Sequence, residues 1–109
     1  MQKLSLEALS RHHLTQATTA PTGRSSETVY GGHEHTLRQT LIALRATTEL
    51  AEHASPGEAT LLILHGRIRL HTATESWDGL AGDLLILPPT RHSVEAVEDA
   101  AFVLTVAKN

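Results

Sequence analysis

The chain has 109 residues, nine Lys and Arg against twelve Asp and Glu, and a formal net charge of -3 with histidine neutral, so no basic field is available to attract nucleic acid. Trp77, Tyr30 and Phe102 are single representatives of their types, which leaves base stacking as poorly supplied as phosphate neutralisation. Cysteine is absent, which excludes thiolate metal sites, thiol nucleophiles and disulfides, and the length suffices to bury roughly two-thirds of the unfolded surface without such staples.

The opening stretch MQKLSLEALSRHH has no apolar core of a targeting segment, and no later run approaches a membrane span, so the chain is expected to be cytoplasmic and to have no membrane partner. Ser5 to Leu14 reads as a short helix with Ser5 as N-cap and Glu7 in the acidic first turn, placing Leu6, Leu9 and His13 on one face. His12 and His13 are adjacent, cannot converge on one ion, and are expected at the surface. From Thr15 to Ser26 the composition turns to Thr, Ala, Ser, Gly and Pro, which predicts an extended arm. Residues 1–26 are thus expected to form a helix and arm, and 27–109 a β-barrel domain.

Gly31-Gly32 precede His33-Glu34-His35, where two imidazoles two residues apart would share a strand face, although a solvated turn is the ordinary outcome after two glycines. Leu37 to Leu44 has helix-favouring residues but the bounds of a strand, Gly31-Gly32 before it and Thr47-Thr48 after it, and strand is the reading adopted. If that strand lines a barrel, one of Arg38 and Gln39 points inward and needs an acceptor, either Glu58 or a bound anion. His53 to Leu70 reads as a Pro-Gly turn, an apolar run closed by Gly66, and an alternating strand with Ile68 and Leu70 on one face and Arg67, Arg69 and His71 on the other. Thr74 to Gly79 reads as turn, Leu84 to Leu87 as an apolar strand stopped by Pro88-Pro89, Glu95, Glu98 and Asp99 as flanks of an exposed hairpin, and Ala101 to Ala107 as a last strand. Candidates for the core are Leu62, Leu64, Ile68, Leu70, Leu85, Leu87, Val103 and Val106.

Two spacings carry more information. With Gly66 as closing glycine, the pattern G-x5-H-x-H-x3-E-x6-G falls on Thr47, His53, Ser55 and Ala59, whereas a four-residue spacer puts Ala51, His53 and Glu58 at the ligand positions and brings Gly66 one residue late. The pattern G-x5-P-x-G-x2-H-x3-N meets Gly82 and Pro88, then Thr90 in place of the glycine, His92 one residue early, and Ala96 where the asparagine would be sought. From about Leu37 to Val106 the chain therefore resembles the small cupins, with an eroded ligand set.

The resemblance implies an all-β double-stranded β-helix, or jelly-roll barrel, with a short N-terminal helix. It implies a ligand pocket drawn from His53, His92, Arg38 and Gln39, with a small-molecule ligand and no complete metal site. The alternative it implies is a metal-dependent enzyme of the oxygenase or isomerase class, in which His53, His92 and Glu58 hold Zn, Mn, Fe or Ni. Similar small cupins pair, so a homodimer is expected, with the N-terminal arm laid across the partner. No serine elbow, phosphate-binding glycine loop or zinc-protease histidine pair stands in the sequence.

Overall fold

A computed structural model of the chain describes residues 1–53 and 57–107, and for residues 52 and 53 it describes the backbone. The Pro-Gly turn expected after His53 begins outside these described residues. One helix, α1 (Leu6–Thr19), precedes nine strands: β1 (Arg24–Gly31), β2 (Leu37–Leu44), β3 (Glu49–His53), β4 (Glu58–His65), β5 (Arg67–His71), β6 (Ser76–Leu80), β7 (Leu84–Ile86), β8 (His92–Ala96) and β9 (Ala100–Ala107). A five-stranded sheet in the order β1-β2-β9-β4-β7 faces a four-stranded sheet in the order β3-β8-β5-β6, and all the strand pairs are antiparallel.

The helix starts as the sequence dictates: the Ser5 hydroxyl accepts the Ala8 N–H at 3.2 Å. It runs further than expected, through Thr19. Thr15, Thr18 and Thr19 each return a hydroxyl hydrogen bond to a helical carbonyl one turn back, which is how threonine is tolerated there. The arm expected over Thr15 to Ser26 is therefore the end of α1 and the start of β1. Similarly, Thr74 to Gly79 is largely strand: the turn lies at Thr72–Glu75, and Trp77 then pairs with Leu70 across β5 and β6.

Most of the large apolar side chains fill the space between the sheets. Leu44, Leu61, Ile63, Ile68, Leu70 and Phe102 are buried to 2% exposure or less, each contributing about 1.5–3 kcal/mol relative to exposure. The alternation on β5 is as expected, and Leu87 and Val106 are also core residues. On β4, however, Leu61 and Ile63 face inward, and Leu62 and Leu64 take the outer face. Leu61-Leu-Ile-Leu64 is apolar at every position, so its period of two has no polar phase by which to choose a face. On β9 the inward residue at this level is Phe102; Val103 is buried on the outer side, beneath the helix end of the sheet.

The helix closes that outer side. Ala17 packs on Ala43 and Ala101 with Leu14 beside them, small residues that let the helix approach the sheet closely. His13 is 6% exposed, against the expectation of a surface residue, because its position three after Ser10 and four before Ala17 places it on the buried face of α1. Arg67 and Arg69 form the expected charged outer face, both bound to Asp78, with His71 on Glu95 at 2.9 Å.

Candidate functional site in the barrel interior

The strand ladders decide which candidates share the interior. Arg38 pairs with Val106, and Val106 with Ala59, so these three form one row on the inner face near the β3–β4 connection. Arg38 is thus the inward residue of its pair, half-buried at the rim. Gln39 belongs to the opposite face, where its Nε2 donates to Thr105 Oγ1 at 3.1 Å, and so it lies outside the pocket for which it was a candidate.

Glu58 pairs with Ala107 and alternates with inward Ala59, which carries it to the exposed outer face, away from His92. Thr47 explains the alignment of the first spacing. It stands where that pattern has its first glycine, and it holds φ +74°, a left-handed conformation that a β-branched residue seldom adopts. Gly66 closes the same pattern at φ +75°. The fold therefore follows the register that has Thr47, Ala59 and Gly66 at its first, acid and closing positions, in which the acid position is a buried alanine.

His92 is 1% exposed on β8, and its Nδ1–H donates to the Thr90 carbonyl at 2.9 Å, since a carbonyl can only accept. The neutral ring then carries its lone pair on Nε2. Its backbone is the ladder partner of His53, whose side chain lies outside the described residues. Around His92 lies a cavity of about 30 Å³ walled by Ile42, Leu50, Leu61, Leu87, Val94, Phe102 and Leu104. That is room for one or two water molecules. Apart from the imidazole the wall is aliphatic and aromatic, so burying an apolar group there costs no polar desolvation.

Among the described residues no three His, Asp or Glu side chains converge as an ion would need. The described donors do not by themselves fit a cupin metal: the acid position is Ala59, and Glu58 faces outward. His33 and His35 belong to no group of three side chains that could hold a metal ion among the described residues, and the His35 ring packs on Tyr30. Sequence reasoning missed the wall residues Leu50 and Phe102, which alternate with exposed or outward neighbours and become legible only once the register of β3 and β9 is known. No helix among the described residues is long and apolar enough to cross a membrane.

No protein-family model matches the sequence, and no curated protein shows a significant match. Solved structures do match. A conserved protein of unknown function from Streptococcus pyogenes is 26% identical with a TM-score of 0.73, over 83% of this chain and 78% of that one. A cupin superfamily protein from Desulfitobacterium hafniense is 15% identical with a TM-score of 0.72, over 79% of this chain and 78% of that one. A salicylate 1,2-dioxygenase from Pseudaminobacter salicylatoxidans is 19% identical with a TM-score of 0.74, and 92% of this chain spans 33% of that much longer one.

Proposed function

We propose that this chain, whose fold is that of the cupin barrels, is a small cupin domain with an eroded ligand set, and that its barrel binds a small, mainly apolar organic molecule without a resident metal. The observation that carries this reading is the buried His92 imidazole set in an otherwise apolar wall. The space is well below the roughly 300–1,000 Å³ of ordinary ligand pockets, so the ligand has few non-hydrogen atoms or enters as Leu50 and Leu87 swing aside. Arg38 at the rim offers a guanidinium to an anionic end, which favours a short organic acid. Melting curves with a panel of short organic acids and their neutral analogues test this: acids should raise the melting temperature in proportion to occupancy, and Arg38→Met should remove the preference for the acid.

A second reading has one observation in its favour. The His53 and His92 backbones are partners across β3 and β8, which brings two potential imidazole ligands to one level of the barrel. In that reading the protein is a metal-dependent enzyme of the oxygenase or isomerase class holding Zn, Mn, Fe or Ni. Stoichiometric metal in protein purified without a histidine tag, lost in His92→Ala, would favour it over the first.

We further propose a homodimer. Support comes from the exposed apolar side chains Leu80, Leu84 and Ile86 on neighbouring edges of the barrel, since residues 15–26 belong to the end of α1 and the start of β1 and offer no extended arm. Light scattering that shows a dimer in the parent and a monomer in Ile86→Lys supports this; a monomeric parent refutes it.

A further inference from the structure

Outside the barrel interior, α1 and β1 assemble three side chains in a chemically ordered line. His13 Nδ1 lies 2.6 Å from Ser25 Oγ, and His13 Nε2 lies 2.5 Å from Glu27 Oε1. Ser25 and Glu27 are two apart on β1 and so project from the same face, toward the buried face of α1. The protons can be assigned from the partners alone. An ionised carboxylate only accepts, so Nε2 carries the ring hydrogen and points it at Glu27; Nδ1 then holds the lone pair and accepts the Ser25 hydroxyl proton. A hydroxyl directed at an imidazole that is itself oriented by a carboxylate is the arrangement of an activated serine.

Two further features stand beside it. The Arg45 N–H donates to the Gly23 carbonyl at 2.7 Å, making that pair hydrogen-bonded. Bonded and non-bonded pairs alternate along an antiparallel ladder, so the backbone groups of Ser25 and Glu27 turn to β2, while the N–H groups of Ser26 and Thr28 turn to the open edge of the sheet. The N–H of the residue after the serine is thereby available to a developing oxyanion. In addition, Leu6 lies seven residues, or about 10 Å, along α1 from His13. It borders a cavity of about 760 Å³ whose wall also includes Val29, Tyr30 and Gln39.

We propose that Ser25, His13 and Glu27 form a second, metal-independent site that cleaves carboxylic esters bearing an apolar arm of about eight carbons, enough to span the distance from His13 to the cavity beside Leu6. Ser25 Oγ attacks the ester carbonyl carbon while its proton passes to His13 Nδ1, and the carbonyl oxygen takes its negative charge against the Ser26 N–H. Collapse breaks the bond to the alcohol oxygen, which leaves with the proton from His13, and Ser25 is left acylated. Water attacks the acyl group by the same route, with His13 taking a proton from the water and returning it to Ser25. The sum is ester plus water giving acid plus alcohol, with no change in oxidation state. Glu27 is a positioning residue that holds the ring tautomer.

The test uses the full chain with an octyl fluorophosphonate, which forms a bond from serine oxygen to phosphorus and expels fluoride, and with p-nitrophenyl octanoate and acetate. Peptide mass analysis should place the phosphonate on Ser25. Turnover of the octanoate should exceed that of the acetate. Ser25→Ala, checked by circular dichroism for an unchanged fold, should lose both labelling and turnover above the uncatalysed background. His13→Gln should lose about 100-fold or more. Glu27→Gln should change the pH profile of the acylation rate as well as its size, which a merely structural role would not do. Should His13→Gln fail to fold, the parent and Ser25→Ala alone decide. Equal labelling of parent and Ser25→Ala, or label spread over other residues and absent from Ser25, overturns the proposal.

Discussion

Thr47 offers a substitution that should stabilise the protein. Its φ of +74° is left-handed, and Thr47 N–H is committed to the Ala96 carbonyl at 2.8 Å while the Thr48 carbonyl accepts from Ala96 N–H at 2.9 Å, so the conformation is held by the β8 ladder. A left-handed residue with a Cβ costs about 1–2 kcal/mol. Glycine would relieve that cost but lose about 0.5–1 kcal/mol to the greater entropy of its unfolded state. Thr47→Gly should therefore gain about 0.5–1 kcal/mol, which for a domain of this size is a rise in melting temperature of about 2–6 °C. Thr47→Ala, which keeps a Cβ, should gain little. Thermal unfolding followed by circular dichroism measures both. A melting temperature that falls in Thr47→Gly would refute the claim that a glycine position of the fold is occupied here by threonine, and with it the register that places Ala59 at the acid position.

Other outcomes follow from the same structure. Gly66 has φ +75°, and a Cβ there would lie 2.0 Å from the Asp99 carbonyl oxygen, whereas at Gly82, φ +94°, a Cβ meets nothing within 4 Å. Gly66→Ala should consequently destabilise far more than Gly82→Ala, whose cost is confined to the strain of about 1–2 kcal/mol; urea unfolding giving equal losses would contradict this. Leu61→Ala should cost about 3–5 kcal/mol and Leu62→Ala clearly less, because Leu61 is 2% exposed and faces the core; the reverse order would mean the strand is turned over. Hydrogen bonds from Arg69, and next from Arg67, hold Asp78 down to about 2, so the unfolded chain takes up its proton first as pH falls. The Asp78 contribution should be complete above about pH 4 and lost toward pH 2, and Asp78→Asn should unfold with a shallower dependence in that window when followed by fluorescence of Trp77; parallel pH curves for the two would show the cluster to be energetically idle.

The architecture was legible because independent signals agreed. Gly66 after an apolar run, the alternation of Ile68 and Leu70 with Arg67 and Arg69, and the Gly82 to Pro88 spacing all require strands and turns, and the structural neighbours are cupin barrels. What failed were choices the sequence leaves degenerate. Leu61 to Leu64 has no polar residue to mark its outer face, and Arg38 and Gln39 are both polar, so alternation could not say which turns inward until the Val106 and Thr105 pairings were known. The composition of Thr, Ala, Ser, Gly and Pro over Thr15 to Ser26 predicts an arm, yet the threonine hydroxyls satisfy carbonyls within the helix they would otherwise weaken. Glu58 was attractive as the one carboxylate near the right spacing, but a single-residue shift in register reverses a strand side chain, and Ala59 holds the inward place. His13 carried a signal that was missed: Ser10, His13 and Ala17 recur at helical spacing, and Ser25 and Glu27 alternate on one strand.

The central claim, that the interior serves an organic ligand through His92 and Arg38, is tested most directly by nuclear magnetic resonance titration of the metal-free protein with short organic acids. Saturable shifts centred on His92, Phe102, Leu104 and Arg38, abolished in His92→Leu and unaffected by chelator, are the predicted result. Shifts at those residues that arise only with Zn, Mn, Fe or Ni, with none from any acid, would contradict it.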